Sequence, residues 1–143
     1  MIQMKEEEMQ KLYLEFQMLS HHINQLEKQN TMLNNQLMEL MATSQSLEDA
    51  KDIEQGTEIL VPLSSGIYAK AELKGNKNFI VNVGSNIALV KDIDSTKKLI
   101  ESQIDEIKKL QENLITQLEN STAKAALLEH EISKIASSIQ DKE

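Results

Sequence analysis

Six leucines recur at seven-residue intervals, Leu12, Leu19, Leu26, Leu33, Leu40 and Leu47, and Met9, Phe16, Ile23, Asn30, Leu37 and Ser44 fall between them. Alternating steps of three and four residues keep one stripe of a helix facing a partner and impose a left-handed supercoil. The chain has no Gly or Pro before Gly56, so nothing interrupts the helix, and Gly56 is the expected terminator. At ~1.5 Å per residue, about fifty residues make a rod on the order of 75 Å. Such a stripe is of no use alone. It has to be covered by a second one.

The chain supplies that second stripe itself. From about residue 93 one register reads Ile93, Ile100, Ile107, Leu114, Ser121, Leu128 and Ile135, and the interleaved register reads Lys97, Ile104, Gln111, Leu118, Ala125, Ile132 and Ile139. Ser95 or Asp94 is the expected helix cap. Two seams of equal length joined by a short insert close at modest entropic cost. The pairing is antiparallel, with residues near 50 opposite those near 95 and residues near 10 opposite those near 132. This register brings Asn30 close to Gln111, and a polar layer there would disfavour slipped alignments.

The insert has a different period. All four glycines, Gly56, Gly66, Gly75 and Gly84, and the only proline, Pro62, lie in it. Apolar residues alternate two by two, and the pattern repeats at an offset of twenty: Ile59, Val61, Leu63, Ser65, Ile67 and Ala69 align with Phe79, Val81, Val83, Ser85, Ile87 and Leu89. This predicts two β-hairpins, 58–63 with 67–73 and 79–83 with 87–91. Gly66 and Asn86 occupy the left-handed position of three-residue loops. Pro62 removes one ladder donor, which puts its strand at an edge or at a bulge. Isolated hairpins are marginal in water, and open edges invite pairing. The apolar set Ile59, Val61, Leu63, Ile67, Ala69, Phe79, Val81, Val83, Ile87 and Leu89 is therefore expected to form the oligomerisation surface. The expected organisation is α+β: a coiled-coil helix over residues 1–54, two oligomerising hairpins over 55–92, and a second coiled-coil helix over 93–143.

Composition removes several function classes. The net charge of −8 and the scarcity of basic clusters argue against nucleic acid as a partner. With no Cys there are no disulfides or thiolate metal sites. The longest apolar runs are four residues, far short of the roughly twenty of a membrane span, and the first residues lack a secretory h-region, so a cytoplasmic protein is expected. His21, His22 and His130 fall on the outer helical face without i, i+4 His partners. The glycines match neither phosphate-binding pattern. No catalytic residue, cofactor site or metal site is expected.

The segment Glu58-Ile59-Leu60-Val61-Pro62-Leu63-Ser64-Ser65-Gly66-Ile67-Tyr68-Ala69-Lys70-Ala71-Glu72-Leu73, followed by Phe79-Ile80-Val81-Asn82-Val83-Gly84-Ser85-Asn86-Ile87, resembles the β region of the prefoldin α class. The Leu-Val-Pro-Leu strand, the Gly after it and the Val-Gly before the last strand carry the likeness, and flanking coiled coils extend it over nearly the whole chain. The resemblance implies an ATP-independent chaperone subunit in a hexamer of two α and four β-type subunits. It further implies a hub built as a β-barrel from strands of all subunits, unfolded client proteins held at the coiled-coil tips, and delivery to a group II chaperonin. It does not carry particular client-binding residues. From the sequence itself the candidates are the apolar residues of the terminal turns, Ile2, Met4, Met9, Leu12 and Tyr13 with Ile132, Ile135 and Ile139. Methionine-bearing surfaces suit partners of no fixed shape, and all seven Met lie in the first 41 residues. The alternative is a coiled-coil adaptor or scaffold that holds specific folded partners.

Overall fold

The computed structural model describes residues 2–140. Helix α1 spans Ile2–Lys51. Strands β1 (Glu58–Ser64), β2 (Ile67–Glu72), β3 (Asn78–Asn82) and β4 (Ala88–Asp92) follow, and α2 spans Ile93–Gln140. The chain divides into two compact units. One takes in the described parts of Met1–Asn35 and Lys108–Glu143, the other Gln36–Ile107.

In the first unit the seam appears as the spacing dictates. Leu26, Leu114 and Leu128 are buried, and Met9, Leu12, Phe16, Leu19, Ile23, Leu33, Leu118, Ala125, Ile132, Ile135 and Ile139 are half-buried. A two-helix pair covers only one stripe of each partner, so half-burial is the norm here. The helices run antiparallel: Met9 and Tyr13 share a groove with Ile132, and Leu19 and His22 share one with Lys124 and Leu128. Nearer the helix ends, Lys5 Nζ donates to Ser138 Oγ at 2.6 Å. Lys5 sits one heptad before Leu12, on the seam, with its stem laid along the partner helix and its ammonium at a polar acceptor.

One seam expectation is corrected. Asn30 Oδ1 is shielded from solvent and has no hydrogen-bond partner, so no polar pair with Gln111 is made through that atom. Asn30 therefore stands as a local weakness, since a shielded acceptor left unpaired costs more than a made hydrogen bond contributes.

In the second unit Leu47 and Ile100 are buried, Leu40 and Ile107 line one groove, and Glu48 forms an ion pair with Lys97 across the helices. Glu48 also lies 3.7 Å from Lys51 on its own helix. The end of α1 is closed from a distance. Asn76, in the segment between the two hairpins, donates its side-chain amide to the carbonyls of Ala50, Lys51 and Ile53 at 3.2, 2.9 and 3.0 Å. Ala50 and Lys51 are among the last carbonyls of the helix, which lack an i+4 donor within it, and Ile53 lies two residues past its end. The glycine expected to stop the helix lies five residues past its end, at φ +88°, where its amide donates to the Leu73 carbonyl at 2.7 Å and extends the first hairpin.

The start of α2 also differs from expectation. The cap is Asp92, the last residue of β4, rather than Asp94 or Ser95. Its Oδ1 accepts the Ser95 amide at 2.7 Å, and its carbonyl accepts the hydroxyl of buried Thr96 at 2.7 Å. The hydrogen bonds from Ser95, helped by Lys98 and Lys91, hold the Asp92 carboxyl below its ordinary value. Strand and helix therefore meet without an intervening loop.

Both hairpins are present. β1 and β2 pair antiparallel from Glu58↔Glu72 to Pro62↔Tyr68 and then shift to Ser64↔Ile67, so Leu63 is the extra residue of a bulge beside Pro62. The loop left is two residues, Ser65-Gly66, with Gly66 at φ +80°, one shorter than the pattern suggested. β3 and β4 pair from Asn78↔Asp92 to Asn82↔Ala88. The second loop is the expected three residues, closed by Val83 N to Ile87 O at 2.9 Å. All three loop residues are left-handed, Gly84, Ser85 and Asn86, where one was expected. Ser85 and Asn86, at φ 52° and 61° beneath an Ile87 N to Gly84 O bond, have the positive φ values of a type I′ turn. Asn82 Oδ1 supports it by accepting the Gly84 amide at 2.9 Å.

Candidate functional site: helix ends and hairpin faces

Apolar groups are left uncovered at the helix ends, on the hairpins and also in mid-helix, where Met32, Met38, Met41, Leu110 and Ile115 are exposed; the first two surfaces hold the residues singled out by the sequence. The first lies at the helix ends of the first unit. Ile2, Met4 and Tyr13 are exposed there, Met4 by 73% and Tyr13 by 53%. The other sequence candidates, Met9, Leu12, Ile132, Ile135 and Ile139, are half-buried within the seam. The structure brings Met9, Tyr13 and Ile132 together on one groove of about 580 Å³, with Gln10, Leu14 and Gln17 completing its wall. Leu14, 58% exposed, and Met18 on the other flank were missed in the sequence, as was Leu127. Each falls outside the seven-residue repeat, and only apolar identity at an outer heptad position could have flagged them.

The second surface is formed by the hairpins. In the pleat, Ile59, Val61 and Leu63 share a face with Ala69 and Ile67, and Phe79, Val81 and Val83 share one with Leu89 and Ile87. Of the expected oligomerisation set, Ile59, Ala69, Phe79 and Val81 are half-buried, while Val61, Leu63, Ile67, Val83, Ile87 and Leu89 are exposed. The opposite faces, which the alternation did not single out, are apolar as well. Ile80 and Val90 are cross-strand partners and expose 79% and 71% of their surface, and Leu60 and Tyr68 are also open. Contiguous apolar surface of this kind marks association sites.

Among the described residues no group of three or more His, Asp or Glu side chains is placed to hold a metal ion, and no helix is long and apolar enough to cross a membrane. His21, His22 and His130 are exposed. Exposed apolar side chains stand both at the helix ends and on the strands.

Two long heptad helices flank two antiparallel hairpins in the chain. A family model described as Prefoldin subunit matches residues 19–138, and the chain belongs to the prefoldin family. It is similar to the prefoldin subunit alpha of Pyrococcus horikoshii, 30% identical over 129 residues and 87% of each chain. It is similar also to that of Methanococcus vannielii, 25% identical over 134 residues, 94% of this chain and 90% of the other. Its fold matches a chain in the cryo-EM structure of filamentous PFD from Methanocaldococcus jannaschii, with a TM-score of 0.73 at 22% identity, over 81% of this chain and 96% of that one. The likeness is to α-type subunits, and the family is one of non-enzymatic chaperones that work as oligomers.

Proposed function

We propose that this chain acts in an ATP-independent chaperone, seating its hairpins in a β-barrel hub shared with β-type subunits, two α to four β, and gripping unfolded polypeptides with its helix ends. Delivery to a group II chaperonin completes the proposed cycle. The observation that carries the reading is the exposure of Ile2, Met4, Tyr13 and Leu14 around the helix ends, where the seam itself is half-buried or buried. Apolar side chains with no partner of their own offer an unfolded chain what its own core would offer, and thioethers adapt to many shapes. Family membership favours this over the adaptor reading.

The test is suppression of aggregation of a chemically denatured protein, without nucleotide, by the chain co-assembled with a β-type subunit. Replacing Met4, Tyr13 and Leu14 by Ser touches no seam position, so the assembly's native mass is expected to stay the same while protection falls several-fold. Full protection by that variant would refute a grip at the helix ends. Failure of the two subunit types to co-assemble would refute the shared hub.

A further inference from the structure

The groove at the helix ends has two unlike flanks. Counting heptads from Met9 as position a and Ile132 as its counterpart places Gln10, Tyr13, Leu14 and Gln17 on one flank, as the groove lining confirms. Glu6 and Glu7 lie one heptad before Tyr13 and Leu14 on that flank, and Glu129 lies on the same flank of α2, three residues before Ile132. All three carboxylates are exposed. Within the turns that carry the groove, residues 2–17 and 129–140, this flank carries no lysine, and the chain has no arginine; Lys28 and Lys108 share its heptad columns only two or more heptads away. Lys11, Lys124 and Lys134 fall on the other flank, where Lys124 lines a separate groove with Glu15 and His22. Lys5 is turned into the seam towards Ser138. The groove of Met9, Tyr13, Leu14 and Ile132, with Gln10 and Gln17 on its wall, thus has Glu6, Glu7 and Glu129 as the charged residues nearest to it in heptad position on this flank.

We infer that this flank selects extended client segments in which apolar residues alternate with lysine or arginine, and discriminates against segments of equal hydrophobicity that carry Asp or Glu. The inference rests on the proposed grip at the helix ends and names the client chemistry. The apolar floor supplies attraction without direction. The carboxylate rim supplies the choice, because like charges brought together oppose binding and opposite charges favour it, and the effect is screened by salt. Exposed pairs are individually weak, so three of them give a preference of about five- to tenfold at low ionic strength.

The experiment titrates the full chain into three short fluorescent peptides with identical Leu and Phe positions and Lys, Gln or Glu at the intervening sites, read by anisotropy. The Lys peptide is expected to bind about five- to tenfold more tightly than the Glu peptide at low salt, with the difference lost at about 1 M salt. In the variant with Glu6→Gln, Glu7→Gln and Glu129→Gln the gap closes, while the Gln peptide binds as before. Equal affinities for the Lys and Glu peptides in the parent chain, or a gap that survives the triple substitution, overturns the inference and leaves the grip standing. No binding of the Gln peptide removes the grip itself, and the inference with it.

Discussion

Replacing Asn30 by Leu is expected to stabilise this chain, contrary to the usual direction of a core-region substitution. The seam is apolar on either side of it, at Leu26, which is 4% exposed, and at half-buried Leu33. The Asn30 Oδ1 acceptor is shielded and unpaired. Removing an unsatisfied acceptor recovers about 1–3 kcal/mol. The new side chain buries further apolar surface, but the position is only half-covered, which limits that gain to roughly half the 1.5–3 kcal/mol of a fully buried leucine. A net gain of about 2 kcal/mol corresponds to a Tm increase of about 4–8 °C for a chain of this size. Thermal unfolding followed by circular dichroism at 222 nm reads it directly, provided protomer concentration is held constant, since assembly contributes to apparent stability. Leu26→Ala, one turn away, is the control of opposite sign and costs about 2–5 kcal/mol. A polar residue in such a seam restricts alignment. The stabilised variant should therefore also admit slipped registers, read as a broadened distance distribution between spin labels placed near residues 5 and 138. A neutral or lowered Tm for Asn30→Leu would refute the reasoning and show that Asn30 Oδ1 finds a partner in the assembled protein.

Three further outcomes follow from the helix ends and turns. Asn76→Ala removes the amide donated to Ala50, Lys51 and Ile53, and is expected to cost about 1 kcal/mol and speed amide exchange in the last turn of α1; Asn76→Asp, which cannot donate and places negative charge at a helix C-terminus, should cost more. Asp92 has a depressed carboxyl pKa, so its capping contribution is fully present above the unfolded value of 3.8 and is lost as pH falls through the lower folded value; hydrogen exchange at the Ser95 amide should accelerate there, and Asp92→Asn should abolish that pH dependence. Asn86→Val puts a β-branched residue at φ 61° and should destabilise the second hairpin by about 1–2 kcal/mol, whereas Asn86→Gly should be tolerated, as measured by chemical denaturation.

The parts of this fold that could be read in the sequence are those whose signal repeats. Leu26, Leu47, Ile100, Leu114 and Leu128, the buried apolar residues, all occupy the seam that the three-and-four spacing marks. The hairpins were legible because alternation and glycine punctuation recur twice. Capping by Asn76 was not legible: the residue lies more than twenty positions from the carbonyls it serves, and no local pattern joins them. Asp92 was not legible as the cap, because it closes the preceding strand's alternating pattern and the helical period begins only after it. Lys5 gave no sign of its seam position, since a charged residue reads as surface until its stem is seen to lie along the partner. At the candidate surfaces, alternation identified one face of each hairpin and hid the other, because Leu60, Ile80 and Val90 are apolar where the period calls for polar residues. Charge asymmetry at the helix ends became visible only once Tyr13 and Ile132 were placed on one groove, which fixed which glutamates share a flank.

The direct junction of β4 with α2 at Asp92 and Ile93 has a mechanical consequence. With no slack between the two elements, twist applied to the last strand turns the first turns of the helix by the same amount, like a key turned by its bow. The first helix, by contrast, reaches its strand through a stretch of several residues and is steered there by Asn76 and by the Glu48–Lys97 pair. Helix α2 is thus welded to the last strand of the second hairpin, whereas α1 is strapped to the segment between the two hairpins, so torque would be felt earliest in the strand that ends at Asp92.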